Sequence, residues 1–125
     1  MLESDFWEFI EYFKQQEFDC KCGCNTNNIS EKLVRQLNNA RFISGYSFKI
    51  NSACRCENHN VSVGGSLDSS HKKGLAVDIA VVNSDMRYSI LSTLIECGFS
   101  RIGIYKNFIH VDIDDDKPQD VIWYK

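Results

Sequence analysis

The sequence has one proline, Pro118, among 125 residues, and no internal repeat or low-complexity stretch. A chain without proline-rich or biased segments offers no composition break at which to divide it, so one domain spanning residues 1–125 is expected. No apolar run approaches the roughly 20 residues that a membrane span requires. A basic excess is also missing: 14 Lys and Arg against 17 Asp and Glu leave a formal charge of -3. That balance provides no broad positive field, so nucleic acid is not expected as a partner. The opening stretch, MLESDFWEFIEYFKQQEF, carries acids among its apolar residues. It lacks the basic start and unbroken apolar centre of a secretory signal. The expectation is synthesis in a cytoplasm without a signal peptide, with any role outside reached by another exit route.

What is present is ordinary for a folded domain: 43% hydrophobic and 25% charged residues, in a length that can bury a core. The six cysteines are unevenly placed. Cys20, Cys22 and Cys24 alternate, Cys54 and Cys56 flank Arg55, and Cys97 stands alone at the end of an apolar helical pattern as a small hydrophobe. Three readings stay open for them: free thiols, some disulfide, or a structural metal site.

Hydrophobic periodicity gives the elements. Residues 4–14 fit a short helix with Ser4 or Asp5 as N-cap and Phe6, Phe9, Ile10 and Phe13 on one face. A second helix starts at the N-cap Ser30, carries Leu33, Val34, Leu37 and Ala40 inward, points Arg41 to solvent and stops at Gly45. SFKINS follows as a strand. Residues 52–74 hold no sustained period and read as a long loop. GLAVDIAVV is a strand buried on at least one face, and Ser84 caps a third helix with Ile90, Leu91, Leu94 and Ile95 inward. SRIGIY, FIHVDI and VIWYK close the chain as three strands, the first two joined by a tight turn at Lys106 and Asn107. The composite is α+β: a mainly antiparallel sheet with two or three helices on one face.

Strand alternation sends neighbouring side chains to opposite faces. In LAVDIAV, Leu75, Val77, Ile79 and Val81 share one face, which leaves Asp78 on the other between Ala76 and Ala80. In FIHVDI, Ile109, Val111 and Ile113 face the core while Phe108, His110 and Asp112 share the opposite side. The loop brings His71 to the start of the first strand. Two imidazoles and a carboxylate are the three-ligand set of a catalytic zinc whose fourth position holds water. A surface His–Asp pairing is the alternative that spacing alone leaves open. His59 is assigned a structural or exposed position away from the metal.

SACRCENHN, VGG, SSHKKGLAVDI, GFSRIGIY and FIHVDI, in this order, resemble the zinc D-Ala-D-Ala carboxypeptidases, a group related to lysostaphin-type endopeptidases and the hedgehog signalling domain. The resemblance runs from about Phe18 to Trp123. It implies that His71, Asp78 and His110 are ligands of one catalytic Zn2+. It also implies that Arg55 binds a carboxylate or carbonyl oxygen of the substrate beside the metal, a task suited to a guanidinium fork. Ser70 is either a substrate-contacting hydroxyl, a support for the site, or a turn residue. The implied activity is hydrolysis of peptidoglycan stem-peptide bonds, as a carboxypeptidase or an endolysin-like endopeptidase. A compact domain without a signal peptide further resembles phage-encoded peptidases that act on the cell wall, and a monomer is expected.

The match departs from the family at one place. Many relatives carry Glu or Asp three residues before the last zinc histidine, or a histidine two before it. Asn107 and Phe108 hold those positions here, and neither can exchange a proton at neutral pH. Asp112 is the nearest replacement, as general base or as the group that orients His110. Asp114, Asp115 and Asp116 read as a solvated turn before the last strand, although alternation puts Asp114 on the face of His110 and Asp112. The missing acid supports one rival, an inactive zinc-binding module of the same fold that binds cell-wall peptides. A second rival puts the metal or redox chemistry at Cys20, Cys22, Cys24, Cys54 and Cys56.

Overall fold

A computed structural model describes residues 3–125, with side chains described from Asp5 onward. Its elements are α1 (Glu3–Glu8), a 3-10 turn (Gln15–Phe18), α2 (Glu31–Ser44), β1 (Ile50–Ser52), α3 (Glu57–Ser62), β2 (Ala76–Ala80), α4 (Ser84–Glu96), β3 (Arg101–Ile104), β4 (Phe108–Asp112) and β5 (Val121–Tyr124). The strands form one sheet in the order β1-β2-β4-β3-β5. Every pairing is antiparallel except β3 with β5. The fold is α+β with a mostly antiparallel sheet.

One face of the sheet is apolar because the strands alternate. Val77 and Ile79 of β2, Ile109 and Val111 of β4 and Ile102 of β3 are all buried in the core. Leu33, Val34, Leu37 and Ala40 of α2, with Ile90 and Leu94 of α4, cover that face. Phe6, Phe13, Phe18 and Phe48 close one end of the same core. Burying each such side chain stabilises the fold by about 1.5–3 kcal/mol. With the helices on this face, the opposite face around Asp78 and His110 is left open as a cleft.

The ends of α2 follow its sequence. Ser30 Oγ accepts the Leu33 amide at 3.3 Å, and Gly45 closes the helix at φ 74°, a left-handed conformation that favours glycine. Elsewhere the structure corrects the expected boundaries. Helix α1 already includes Ser4 and Asp5, and it ends at Glu8, so Phe9 is 73% exposed while Phe13 returns to the core from beyond the helix. Arg41 does not point to solvent. Its Nη1 donates to the Tyr12 carbonyl at 2.6 Å, and its guanidinium lies over the Phe13 ring at 5.0 Å. Helix α4 is capped by Asn83, whose Oδ1 accepts from the Met86 amide at 2.8 Å, and Ser84 is its first residue. Ile95 is exposed rather than inward. SFKINS supplies only the three residues of β1, and the long loop contains α3, capped by Cys56.

Candidate metal centre

Sheet register assembles the polar face. Asp78 on β2 stands directly opposite His110 on β4, and His110 in turn opposes Gly103 on β3, which opposes Trp123 on β5. Ser52 flanks Asp78 on the other side. One row across five strands therefore carries Ser52, Asp78, His110, Gly103 and Trp123. A side chain at position 103 would collide with the Trp123 indole, the nearest atom being 2.5 Å from an added Cβ. The glycine lets Trp123 lean toward His110, their ring centroids 5.5 Å apart.

His71 comes from the loop before β2 and is buried. Its Nδ1 lies 2.8 Å from the Ala53 carbonyl oxygen. A carbonyl only accepts, so Nδ1 carries the hydrogen and the Nε2 lone pair faces Asp78 Oδ1 at 3.3 Å. His110 lies between two carboxylates, Asp112 being the nearer. Its Nε2 lies 2.7 Å from Asp112 Oδ2, and its Nδ1 lies 3.0 Å from Asp78 Oδ1. Donating Nε2–H to the Asp112 carboxylate leaves Nδ1 as a lone pair toward Asp78.

In the neutral form of both rings, then, two nitrogen lone pairs and a carboxylate oxygen converge within 4.8 Å with no hydrogen among them. Such a convergence of acceptors calls for a cation or for extra protons. The electrostatics point the same way. Burial works to raise the Asp78 pKa, but hydrogen bonds to His110 and His71 and the charge of those rings prevail, holding the carboxyl well below the usual carboxylate range. Burial works against protonation of His110, yet its bonds to Asp112 and Asp78 raise its pKa. The donor set, two oriented imidazoles and one ionised carboxylate, fits zinc with one position left open.

Arg55 stands beside this set. Its Nε donates to Ser52 Oγ at 3.1 Å, its Nη1 to Asn60 Oδ1 at 3.2 Å, and Nη2 lies 3.6 Å from Asp78 Oδ2. Burial lowers its pKa and Asp78 opposes that shift. The backbone also ties the two loops: Arg55 N–H donates to the His71 carbonyl at 3.2 Å. Gly65 belongs to the same arrangement, because an added Cβ would stand 2.0 Å from Asn60 Oδ1.

The other expected site residues sit further back. Asp112 is 1% exposed, with Oδ2 on His110 and Oδ1 receiving Arg101 Nε–H at 2.7 Å and the Asp114 amide at 3.1 Å. Burial works to raise its pKa, but His110 and Arg101 bring it down. Ser70 is buried; its hydroxyl donates to Asp114 Oδ2 at 2.7 Å and accepts from Lys117 Nζ at 2.9 Å. Asp114 is not part of a solvated turn. It is fully buried and paired with Lys73 at 3.0 Å, and although burial works to raise its pKa, Ser70 and Lys73 lower it to about 2. Asp115 and Asp116 are exposed, as expected.

A cleft of about 440 Å³ opens over His71, Asp78 and His110. Arg55, Lys117 and Lys125 give it positive charge, and Tyr105, Phe108 and Trp123 form an aromatic wall. Tyr105 and Phe108 stack at 4.5 Å between centroids, and the Trp123 indole N–H donates to the Tyr105 hydroxyl at 3.2 Å. Among the described residues, the acids that line the cleft are Asp78 and Asp112. Phe108 shares the His110 face by alternation, but the rest of the wall, Asn60 and Arg101 went unmarked in the sequence. Only the VGG stretch and the end-strand tryptophan hinted at them.

No curated protein matches the chain significantly. The family model described as Peptidase M15 matches residues 11–112, a span that contains His71, Asp78, His110, Arg55 and Asp112. Peptidases of this family are zinc-dependent. The chain belongs to the peptidase M15 family.

Proposed function

We propose that this chain is a zinc metallopeptidase that hydrolyses peptidoglycan stem peptides at or near a D-amino-acid bond. The observation that carries the reading is the convergence of His71 Nε2, Asp78 Oδ1 and His110 Nδ1, with both rings fixed by acceptors behind them. These three atoms would hold the ion. Zinc bound there supplies a Lewis acid that activates water and polarises a scissile carbonyl.

The chain's own residues do the rest. Ser52 and Asn60 hold the Arg55 guanidinium so that its remaining edge can take a peptide carboxylate or carbonyl oxygen beside Asp78. The positive lining suits a peptide that carries free carboxylates, and the aromatic wall gives its apolar side chains a surface. Asp112 orients His110 rather than carrying protons, because both its oxygens are engaged and it has almost no exposure. With that substrate, the site of action is the cell wall.

One observation favours a second reading, an inactive module that binds cell-wall peptides: neither acid lining the cleft is free for proton transfer. Zinc content of wild type and His110→Ala, with mass spectrometry of muropeptides digested by zinc-loaded protein, decides between them. Loss of one zinc in the variant, with release of D-alanine or cleavage of cross-links by wild type only, supports the peptidase. Loss of the zinc with no change in the muropeptides by wild type supports the binding module. Zinc content unaltered by the substitution removes both.

A further inference from the structure

Outside the cleft, a second group of side chains points at one spot. Cys20, Cys22, Cys24 and Cys56 place their sulfurs within 4.8 Å of one another. Cys20 and Cys22 Sγ are 3.5 Å apart, Cys22 and Cys56 3.6 Å, and Cys20 and Cys56 3.9 Å. Four sulfurs bound to one zinc at about 2.3 Å form a tetrahedron with edges of about 3.8 Å. Three of the sulfurs already stand on such edges. The fourth, Cys24, is turned to Thr26 Oγ1 at 3.1 Å on an exposed turn.

We infer that Cys20, Cys22, Cys24 and Cys56 form a closed, structural zinc site distinct from the His71 centre. Disulfide formation does not account for the arrangement. All six cysteines are free, and a disulfide would bring sulfurs together in pairs at about 2.05 Å without drawing four to a common point. Backbone donors already face two of the sulfurs. The Cys56 amide donates to Cys20 Sγ and the His59 amide to Cys56 Sγ, each at 3.4 Å. The chain also turns to present the sulfurs: Gly23 adopts φ 88° and Asn25 φ 66°, and Cys20 N–H closes the turn on the Thr26 carbonyl at 2.9 Å. Cys54 is excluded. It is buried elsewhere and donates to Asn27 Oδ1 at 3.7 Å.

The site staples the turn at residues 20–26 to the start of α3. Cys56 directly follows Arg55, and just past the turn Ser30 N–H donates to the Gly74 carbonyl at 2.9 Å, at the end of the His71 loop. The sulfur-bound ion therefore holds in place the backbone that positions Arg55. Its ligands are full, so it takes no part in the chemistry.

The test is metal analysis on full-length protein purified with reductant and loaded with zinc. Wild type is expected to hold two zinc ions per chain. The His71→Ala, His110→Ala double variant is expected to keep one, with X-ray absorption showing an all-sulfur shell at about 2.3 Å. Cys22→Ser and Cys24→Ser, both at exposed positions, are each expected to lower the content from two to one. The absorption measurement on the histidine variant stands even if a cysteine variant fails to fold. A histidine variant devoid of zinc overturns the inference. So does a shell without sulfur, iron in place of zinc, or a disulfide among these four in the reduced preparation. If the histidine variant keeps its sulfur-bound zinc while wild type leaves muropeptides uncut, only the peptidase reading falls.

Discussion

The two groups of metal-capable side chains flank Arg55 and are built in opposite ways. Asp78 and His110 project from neighbouring central strands in direct register, and His71 is locked against a backbone carbonyl. The cysteines sit on turns, three of them between positions 20 and 24, and their supports are backbone amides. Two donors on the sheet and one on the adjoining loop, under an open cleft, leave room for a reacting molecule; four sulfurs closed on one ion would leave none. On the two readings proposed above, one small fold would separate a centre that does chemistry from one that only ties segments together.

Substitution at His71 separates the two most sharply. His71→Ala is expected to abolish muropeptide hydrolysis and release one zinc, whereas Cys24→Ser is expected to release one zinc and to lower turnover only through looser positioning of Arg55, by no more than Arg55→Ala does. Parallel zinc content and hydrolysis assays read both. A Cys24→Ser protein as inactive as His71→Ala would erase the distinction between them.

Arg55, between the two, comes next. Arg55→Ala is expected to lower turnover by about 10²-fold, as removal of a preorganised donor does elsewhere. Its zinc content should match wild type; steady-state kinetics with metal analysis check this. Asp112→Asn follows, with zinc affinity at the His110 centre weaker by about 10–100-fold in a chelator competition. Once zinc is saturating, the shape of the pH–rate profile should persist. Disappearance of one limb would return Asp112 to the role of general base.

The smallest effect lies behind the site. Asp114 has a pKa of about 2 against an ordinary 3.8, the result of Ser70 and Lys73 prevailing over burial. A depressed carboxylate stabilises the fold above its ordinary pKa and loses that contribution as pH falls through the folded value. Wild-type stability should therefore decline between about pH 4 and pH 2, and Asp114→Asn should flatten that part of the curve in denaturant melts while lowering stability at neutral pH. An unchanged acid limb would mean that the Lys73–Asp114 pair contributes nothing.

Asp78 and His110 were legible as residues of one face because strand alternation is a strict period of two, and the resemblance to the zinc D-Ala-D-Ala carboxypeptidases joined the loop residue His71 to them. Alternation fixes the faces of Asp78 and His110 before any pairing is known. The register that sets Asp78 against His110 leaves no mark in sequence, since it depends on how strands meet. The relation of Gly103 to Trp123 was hidden for the same reason: β5 joins β3 in parallel from 20 residues away. At the N-terminus, Phe6, Phe9, Ile10 and Phe13 matched a helical stripe, yet the chain leaves the helix at Glu8, and Phe13 reaches the core by another route. Asp114 misled because its partners Lys73 and Ser70 lie more than 40 positions away. Cys20, Cys22, Cys24, Cys54 and Cys56 were marked together as a rival metal or redox cluster, but their C-x-C-x-C spacing with the last one 32 residues later, unlike the usual paired C-x2-C pattern, offered no means of leaving out Cys54.

The two histidines of the centre differ in what a single mutation can do to them. The partner of His71 Nδ1 is the main-chain oxygen of Ala53, which every amino acid carries. Substitution at residue 53 can crowd the ring but cannot take the acceptor away. The partner of His110 Nε2 is the side chain of Asp112, which one codon change removes. As sequences drift, the His71 half of the centre is insured by the backbone itself, while the His110 half survives only under continued selection at position 112.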